Sequence, residues 1–287
     1  MHTTVKEIEA HLADNLLPPD PEFAAAYTDK VMEGRGISRD RTVAFVAICR
    51  NAMPWLPMTL AHVERTGAMF KSWSAFIYEN DSADETKDFL RAWSDGGQRQ
   101  ASLNVNGRPH LNTTTETVRT EALAEYRGIC QKWVESGEPV DYVVVFDTDP
   151  WGGFSVDGVA TGIAALESTK AACMASYSWC EMLVGGQPFP AHYDAFAARL
   201  NHWRQRDQQW FHHWHPPVGS PPVRFNSAFG QLAVYAARPF LRGKYAGHDC
   251  EHVTFHKSLP GEVYLNPSQR CVSFWVPGGD GGQHCEN

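Results

Sequence analysis

Along the first half of the chain, apolar residues gather in short unbroken runs, each closed by a cluster of polar ones. The sharpest case is Tyr142 to Asp149, YVVVFDTD, in which the apolar run ends abruptly in two aspartates separated by one residue. Such a run predicts a strand buried on both faces, as in the middle of a mostly parallel sheet. Val43 to Cys49 (VAFVAIC) predicts a second buried strand, ending in Arg50 and Asn51. Residues 73–78 predict a third, ending in Glu79, Asn80, Asp81 and Ser82. A helix is expected over about 54–69 between the strands at 43–49 and 73–78, and the capping-box spacing of Ser82 and Glu85 predicts another through Trp93. Residues 94–112, rich in Gly, Asn, Gln and Arg, read as an irregular loop. A second capping box at Thr113 and Glu116 then opens a long helix with Val118, Ala122, Tyr126, Ile129 and Trp133 on one face. Helices alternating with buried strands predict an α/β fold with a doubly wound sheet, its polar strand ends collected at one edge.

The rest is less regular. Asp157 is expected to cap the helix after YVVVFDTD, with strands over 171–177 and 231–236 and a short helix over 193–203. The Pro-rich stretch 212–224 reads as a connector without regular structure, and Asp249 as the opening of a helix that carries Glu251 and His256. Pro18, Pro19 and Pro21 interrupt an acidic, mainly helical lead-in before residue 42, and the C-terminal tail is rich in glycine.

Composition narrows the function classes. With 287 residues, 43% of them hydrophobic, the chain is long enough for one sizeable α/β domain. A formal charge of −8 argues against general affinity for nucleic acid or anionic membrane, because such binding relies on Lys and Arg neutralising phosphates. No run approaches the ~18 apolar residues of a membrane span, and the N-terminus lacks the layout of a secretory signal, so a soluble protein is expected. Seven cysteines without a Cys-x-x-Cys pair fit reduced thiols and a cytoplasmic location.

Ligands of parallel sheets bind at the carboxyl ends of the strands, which puts Asp147 and Asp149 at the rim of that crevice. Hard carboxylate oxygens suit Mg²⁺ or Mn²⁺, and such ions are usually shared with phosphates. The tripeptide is common, and most copies are solvated loop residues or caps; the buried strand before it is what favours a metal-bridged diphosphate site. His212, His213 and His215 look like a metal cluster, yet their Pro-rich setting favours an acceptor-side loop, and His284 in the tail is a rival ligand.

In order along the chain stand Arg50-Asn51 at a strand end, FIYENDS, a helix containing Arg127, VVVFDTD, YDAFAAR, SAFGQLAVY, DCEHVTFH and YLNPS. This series resembles the GT-A glycosyltransferases, and most closely the fungal capsule α-1,3-mannosyltransferases and their bacterial and viral relatives, over roughly residues 42 to 270. The resemblance implies a Rossmann-like nucleotide-binding sheet with helices on both faces, in a single domain. It divides the chain into the lead-in (1–41), a nucleotide-sugar-binding half (42–170), and an acceptor-binding and metal-completing half (171–287). Asp147 and Asp149 match the Asp-x-Asp that holds Mn²⁺ or Mg²⁺ against the diphosphate, with Asp149 in the place of the direct ligand, and His256 matches the late histidine that completes the shell. Glu79 and Asp81 match the acidic strand end that meets the base or ribose; Arg50 and Asn51 line the same crevice, and Arg127 is a candidate for nucleotide or phosphate. Glu251 matches the acid near acceptor and reacting carbon, and Asp194 is a candidate for the acceptor hydroxyls.

The implied activity is transfer of a hexose, mannose as the first guess, from a GDP- or UDP-sugar to a hydroxyl acceptor such as a saccharide. The close family retains anomeric configuration, while a poised Glu251 suits an inverting base equally. Two other classes stay open: a sugar-nucleotide nucleotidyltransferase, whose Gly-rich phosphate loop is absent from residues 43–55, and a non-catalytic carbohydrate-binding protein. On one helix, Glu251 and His256 would point roughly 140° apart at ~100° per residue, so both reach the same ion only if the helix bends.

Overall fold

The computed structural model describes residues 17–109, 117–200, 203 and 209–276. Its first half runs α1 (Ala24–Ser38), β1 (Thr42–Cys49), α2 (Leu56–Gly67), β2 (Ser72–Asn80), α3 (Thr86–Trp93), β3 (Arg99–Asn104), α4 (Thr117–Ser136) and β4 (Tyr142–Asp147). The second half adds α5 (Val156–Thr169), β5 (Cys173–Val184), β6 (Gln187–His192), α6 (Gln209–His212), β7 (Val223–Phe225), β8 (Leu232–Ala236), α7 (Ala237–Phe240), α8 (Glu251–Ser258) and β9 (Val263–Phe274).

All strands join one sheet in the order β3-β2-β1-β4-β8-β5-β9-β7, with β6 hydrogen-bonded to β5. The strands from β3 to β4 are mutually parallel, so their carboxyl ends open on one edge. There the register sets Ile48 beside Asp147. β8 is antiparallel to both β4 and β5, which carries the sheet from the first half into the second without a break. Val143, Val144, Val145 and Phe146 are wholly buried because helices cover both faces, the reason the strand reads as a continuous apolar run. Helix α1 packs on α5 so closely that a Cβ on Gly34 would lie 1.8 Å from the carbonyl oxygen of Ala160.

Several expectations need correction. Ser82 does not cap α3: its hydroxyl accepts from the Asn51 N–H at 2.9 Å, its own N–H donates to Glu79 Oε1 at 2.8 Å, and α3 begins at Thr86. Ser155, not Asp157, caps α5, accepting from the Gly158 N–H at 2.8 Å, while Asp157 pairs with Arg35. The cap of α8 is Cys250, and Asp249 instead meets the buried Arg199 at 3.3 Å. β3 lies within the expected loop, as a half-exposed edge strand that needs no apolar run. β6 was not foreseen, and β7 occupies the end of the Pro-rich connector.

Residues 193–200 form turns rather than a helix. Arg199 bridges Ser227 through the backbone, and its guanidinium donates to the carbonyls of Phe196, Ala198 and Trp203, so tertiary bonds override a helix-forming sequence. The Thr113–Glu116 capping box and His284 lie outside the described residues. Six described cysteines are free and buried, and among the described residues no helix is long and apolar enough to cross a membrane.

Candidate active site

The carboxyl ends of β1, β2 and β4 open into a cleft of about 750 Å³, closed opposite by the start of α4, the 193–196 turn and the start of α8. The first half of α4 is amphipathic with an unexpected use. Val118, Ala122 and Tyr126, which read as a core stripe, wall the cleft, with Val118 55% exposed.

Four carboxylates converge here: Asp147 and Asp149 from the end of β4, Asp194 from the turn, and Glu251 from the first turn of α8. Asp149 is open to water through the cleft mouth yet walled by protein. Burial and the charge of Asp147 push its carboxyl up to about 6. Asp194 accepts from the Gly230 N–H at 2.9 Å, and burial, aided by the charges of Asp147 and Glu251, raises it to about 7. Gly230 has φ +63°, and a Cβ there would lie 2.0 Å from the Ser176 carbonyl oxygen, so no other residue fits this support. Gln231 also adopts positive φ, and its carbonyl accepts from the Asp147 N–H at 2.8 Å.

Arg127 sits beneath this group. It is 3% exposed, and its Nη2 donates to Asp147 Oδ1 at 2.6 Å, Nη1 donates to the Phe146 carbonyl, and Nε lies 4.0 Å from Glu251 Oε1. The guanidinium also lies over the Phe229 ring at 5.2 Å. Burial opposes its charge, but Asp147 and Glu251 outweigh that and hold it protonated. Arg127 therefore bridges the two carboxylates instead of offering a free fork to phosphate. Burial raises Glu251 as well, with Arg127 opposing the shift.

Other expected site residues lie elsewhere. His256 is one helical turn past His252, outside the cleft; Nδ1 meets the Ser227 hydroxyl and Nε2 the Tyr235 hydroxyl, each at 2.9 Å, and burial lowers the ring to about 3. With both nitrogens engaged in the core, it completes no metal shell at Asp149. Asn51 and Glu79 stitch β1 to β2: Asn51 Oδ1 accepts from the Ala83 N–H, and Glu79, fully buried, accepts from Ser82. Asp81 accepts from the backbone N–H groups of Asn106, Gly107 and Arg108, fixing the next loop; burial works against these bonds, yet they hold its carboxyl below the usual range. None of these three lines the cleft. Arg50 does, with Nη1 on the Arg108 carbonyl at 3.0 Å. Of the candidate histidine cluster, His215 Nδ1 bonds the Tyr177 hydroxyl and His212 Nδ1 the His192 carbonyl, so it holds no common ligand position.

Sequence reasoning passed over Arg119, Arg108, Tyr193 and His252, all of which line the cleft. His252 is 3% exposed and stacked on Phe229 at 3.6 Å; among the described residues neither ring nitrogen has a hydrogen-bond partner, and burial lowers its pKa well below the ordinary value. Arg119 had a legible signal, one helical turn before Leu123 on the face that reads 118, 122, 126.

Among the described residues no three ligand-type side chains gather closely enough to hold a metal alone. The donor set still suits a shared cation: Asp149 and the oxygen of Asp147 not bound to Arg127 supply hard ligands, and phosphate oxygens and water would fill the remainder.

No protein-family model and no curated protein matches the chain. Among solved structures it is similar to GalNAc-T7 crystallised with UDP, GalNAc and Mn²⁺, with 13% identity and a TM-score of 0.54, covering 91% of this chain and 55% of that one. Weaker similarities are to the mannosyltransferase PcManGT of Pyrobaculum calidifontis with GDP-Man and Mn²⁺ (12% identity, TM-score 0.48, 88% of this chain and 66% of that one) and to S. aureus TarS 1–349 with UDP-GlcNAc (10%, 0.46, 83% and 59%). The chain thus spans less than two thirds of each. It has the mixed α/β architecture of the GT-A glycosyltransferases.

Proposed function

We propose that this chain is a metal-dependent glycosyltransferase that moves a hexose from a nucleoside-diphosphate sugar to a hydroxyl acceptor. One observation carries the reading: Asp149 stands open in a cleft at the carboxyl ends of parallel strands that Asp194 and Glu251 also line, with Arg127 holding Asp147. The fold accommodates this reaction and does not by itself name it.

Cleaving a sugar from a diphosphate builds positive charge at the anomeric carbon and negative charge on the leaving group. Asp149 and Asp147 would hold Mn²⁺ or Mg²⁺, and that cation, when bound, supplies Lewis-acid stabilisation of the departing diphosphate. Arg50, Arg108 and Arg119 add positive charge to the lining of the cleft. Asp194 is poised near neutral pH, where a carboxylate exchanges a proton with a hydroxyl most effectively, so it and Glu251 orient the acceptor and take its proton. Arg127 opposes the rise that burial imposes on the Glu251 carboxyl and fixes the direction of Asp147.

GDP-mannose is the first donor to try, followed by UDP-, ADP- and CDP-sugars, each with Mn²⁺ or chelator and no acceptor. The reading expects Mn²⁺-dependent release of one nucleoside diphosphate. No release with any donor, together with saccharide binding indifferent to metal and nucleotide, would replace it with a carbohydrate-binding module.

A further inference from the structure

Three tryptophans remote in sequence meet beside the cleft. Trp55 precedes α2, Trp151 follows the metal-site strand, and Trp275 follows β9. Trp55 and Trp151 stack at 5.2 Å with 20° between planes, and Trp275 stands edge-on to both, at 6.0 and 5.4 Å. Phe274 extends the group from Trp151 at 6.3 Å, and Tyr193, which lines the cleft, meets Phe274 edge-on at 5.5 Å. The charges of Asp149 and Asp194 bear on the Tyr193 hydroxyl, so a continuous aromatic path leads from the carboxylates to the indoles.

All three indoles are half-buried, and among the described residues none accepts a hydrogen bond from their ring N–H groups. The Trp93 and Trp133 ring N–H groups, by contrast, donate to Glu64 and Gln100. Partly open aromatic surface that also offers N–H donors matches a ligand with apolar ring faces and peripheral hydroxyls. Among its described residues, Trp55, Trp151, Tyr193, Phe274 and Trp275, the patch contains no cation to recognise an anionic lipid or phosphate. Its continuity with the carboxylates selects a ligand that must present a hydroxyl to them.

We propose that Trp55, Trp151, Trp275, Phe274 and Tyr193 form an acceptor platform on which pyranose rings of a saccharide stack while its terminal hydroxyl reaches Asp194 and Glu251. The proposal rests on the glycosyltransferase reading for its place in catalysis, and on the aromatic geometry for its ligand class. It makes the acceptor an oligosaccharide longer than one ring, since the path from Asp194 to Trp275 passes over Tyr193 and Phe274 in turn.

The test is ¹⁹F NMR of the full chain labelled with 5-fluorotryptophan, titrated with mannotriose, chitotriose, maltotriose and cellotriose, with binding of GDP and UDP plus Mn²⁺ followed in parallel. At least one trisaccharide should shift the Trp55, Trp151 and Trp275 resonances and leave Trp133, at the opposite end of the sheet, unmoved. Trp275→Ala should weaken that binding at least tenfold with nucleotide binding unchanged. Trp275→Phe, which keeps an edge contact, should weaken it less and covers the case in which the alanine variant fails to fold. The platform is overturned if no trisaccharide moves these resonances, or if both variants bind as the parent does. Saccharide shifts without any metal–nucleotide binding would sink the glycosyltransferase reading and leave the platform standing as a saccharide site.

Discussion

Arg127 Nη2 lies 2.6 Å from Asp147 Oδ1, although Arg127 is buried in α4 and Asp147 ends β4. Asp147 is held by a cation of the protein itself, and under the proposed function Asp149 is the carboxylate left for an external one.

Asp149→Asn should therefore remove Mn²⁺-dependent nucleotide binding while leaving the fold intact. Because burial and Asp147 already disfavour the Asp149 charge, the variant should melt no lower than the parent at pH 7.5 in the absence of metal. A melting-temperature series with and without Mn²⁺ and nucleotide reads both effects; a large drop without ligand would show that Asp149 is structural.

Arg127→Met should destabilise the chain by about 3–5 kcal/mol, the scale for removing one partner of a buried ion pair. It leaves Glu251 buried without its nearest cation, so the Glu251 carboxyl should rise further. Urea unfolding gives the first quantity and ¹³C NMR of labelled glutamate the second. Parental stability would refute the bridging role.

Much of the site frame was legible because β1, β2 and β4 are buried on both faces and must be written in apolar runs. Asp147, Asp149 and Arg50 follow directly, since a residue leaving such a strand stands at the open edge. The edge strands β3 and β6 were not legible: half-exposed strands carry polar residues and resemble loops. Asn51, Glu79 and Asp81 sit beside the cleft in sequence but turn into local backbone bonds, a competition that spacing does not reveal. His256 failed for another reason. Glu251 opens α8 at the cleft, and a residue five positions on is carried more than one turn into the core, where Ser227 and Tyr235 hold it.

His256→Gln should accordingly lower stability by about 1–3 kcal/mol, the cost of leaving a buried hydroxyl unpaired. Mn²⁺ affinity in the presence of nucleotide should stay within twofold of the parent. Lost metal affinity at unchanged stability would restore the ligand role.

Asp194→Asn should alter the pH dependence of stability. In the folded chain this carboxyl titrates at about 7, against ~3.9 when unfolded, so the native state binds the extra proton between those values. Its contribution is full below about pH 4 and lost as pH rises through 7. The asparagine variant keeps an acceptor for the Gly230 N–H without the charge, so its melting temperature should exceed the parent's by a margin that widens from pH 5 to pH 8. A constant margin would place the Asp194 carboxyl in its ordinary range.

Glu251→Gln should retain donor affinity within about threefold and reduce turnover by ~10²–10⁴, the range for loss of a proton-transferring group. Unchanged turnover would move the proton-accepting role to Asp194 alone.

Calorimetric titration of GDP and UDP into the chain, with Mn²⁺ and with chelator, in the parent and in Asp149→Ala, tests the central claim most directly. The account predicts that one nucleoside diphosphate binds only when Mn²⁺ is present and only when Asp149 is intact. Binding that survives either the chelator or the substitution would contradict it.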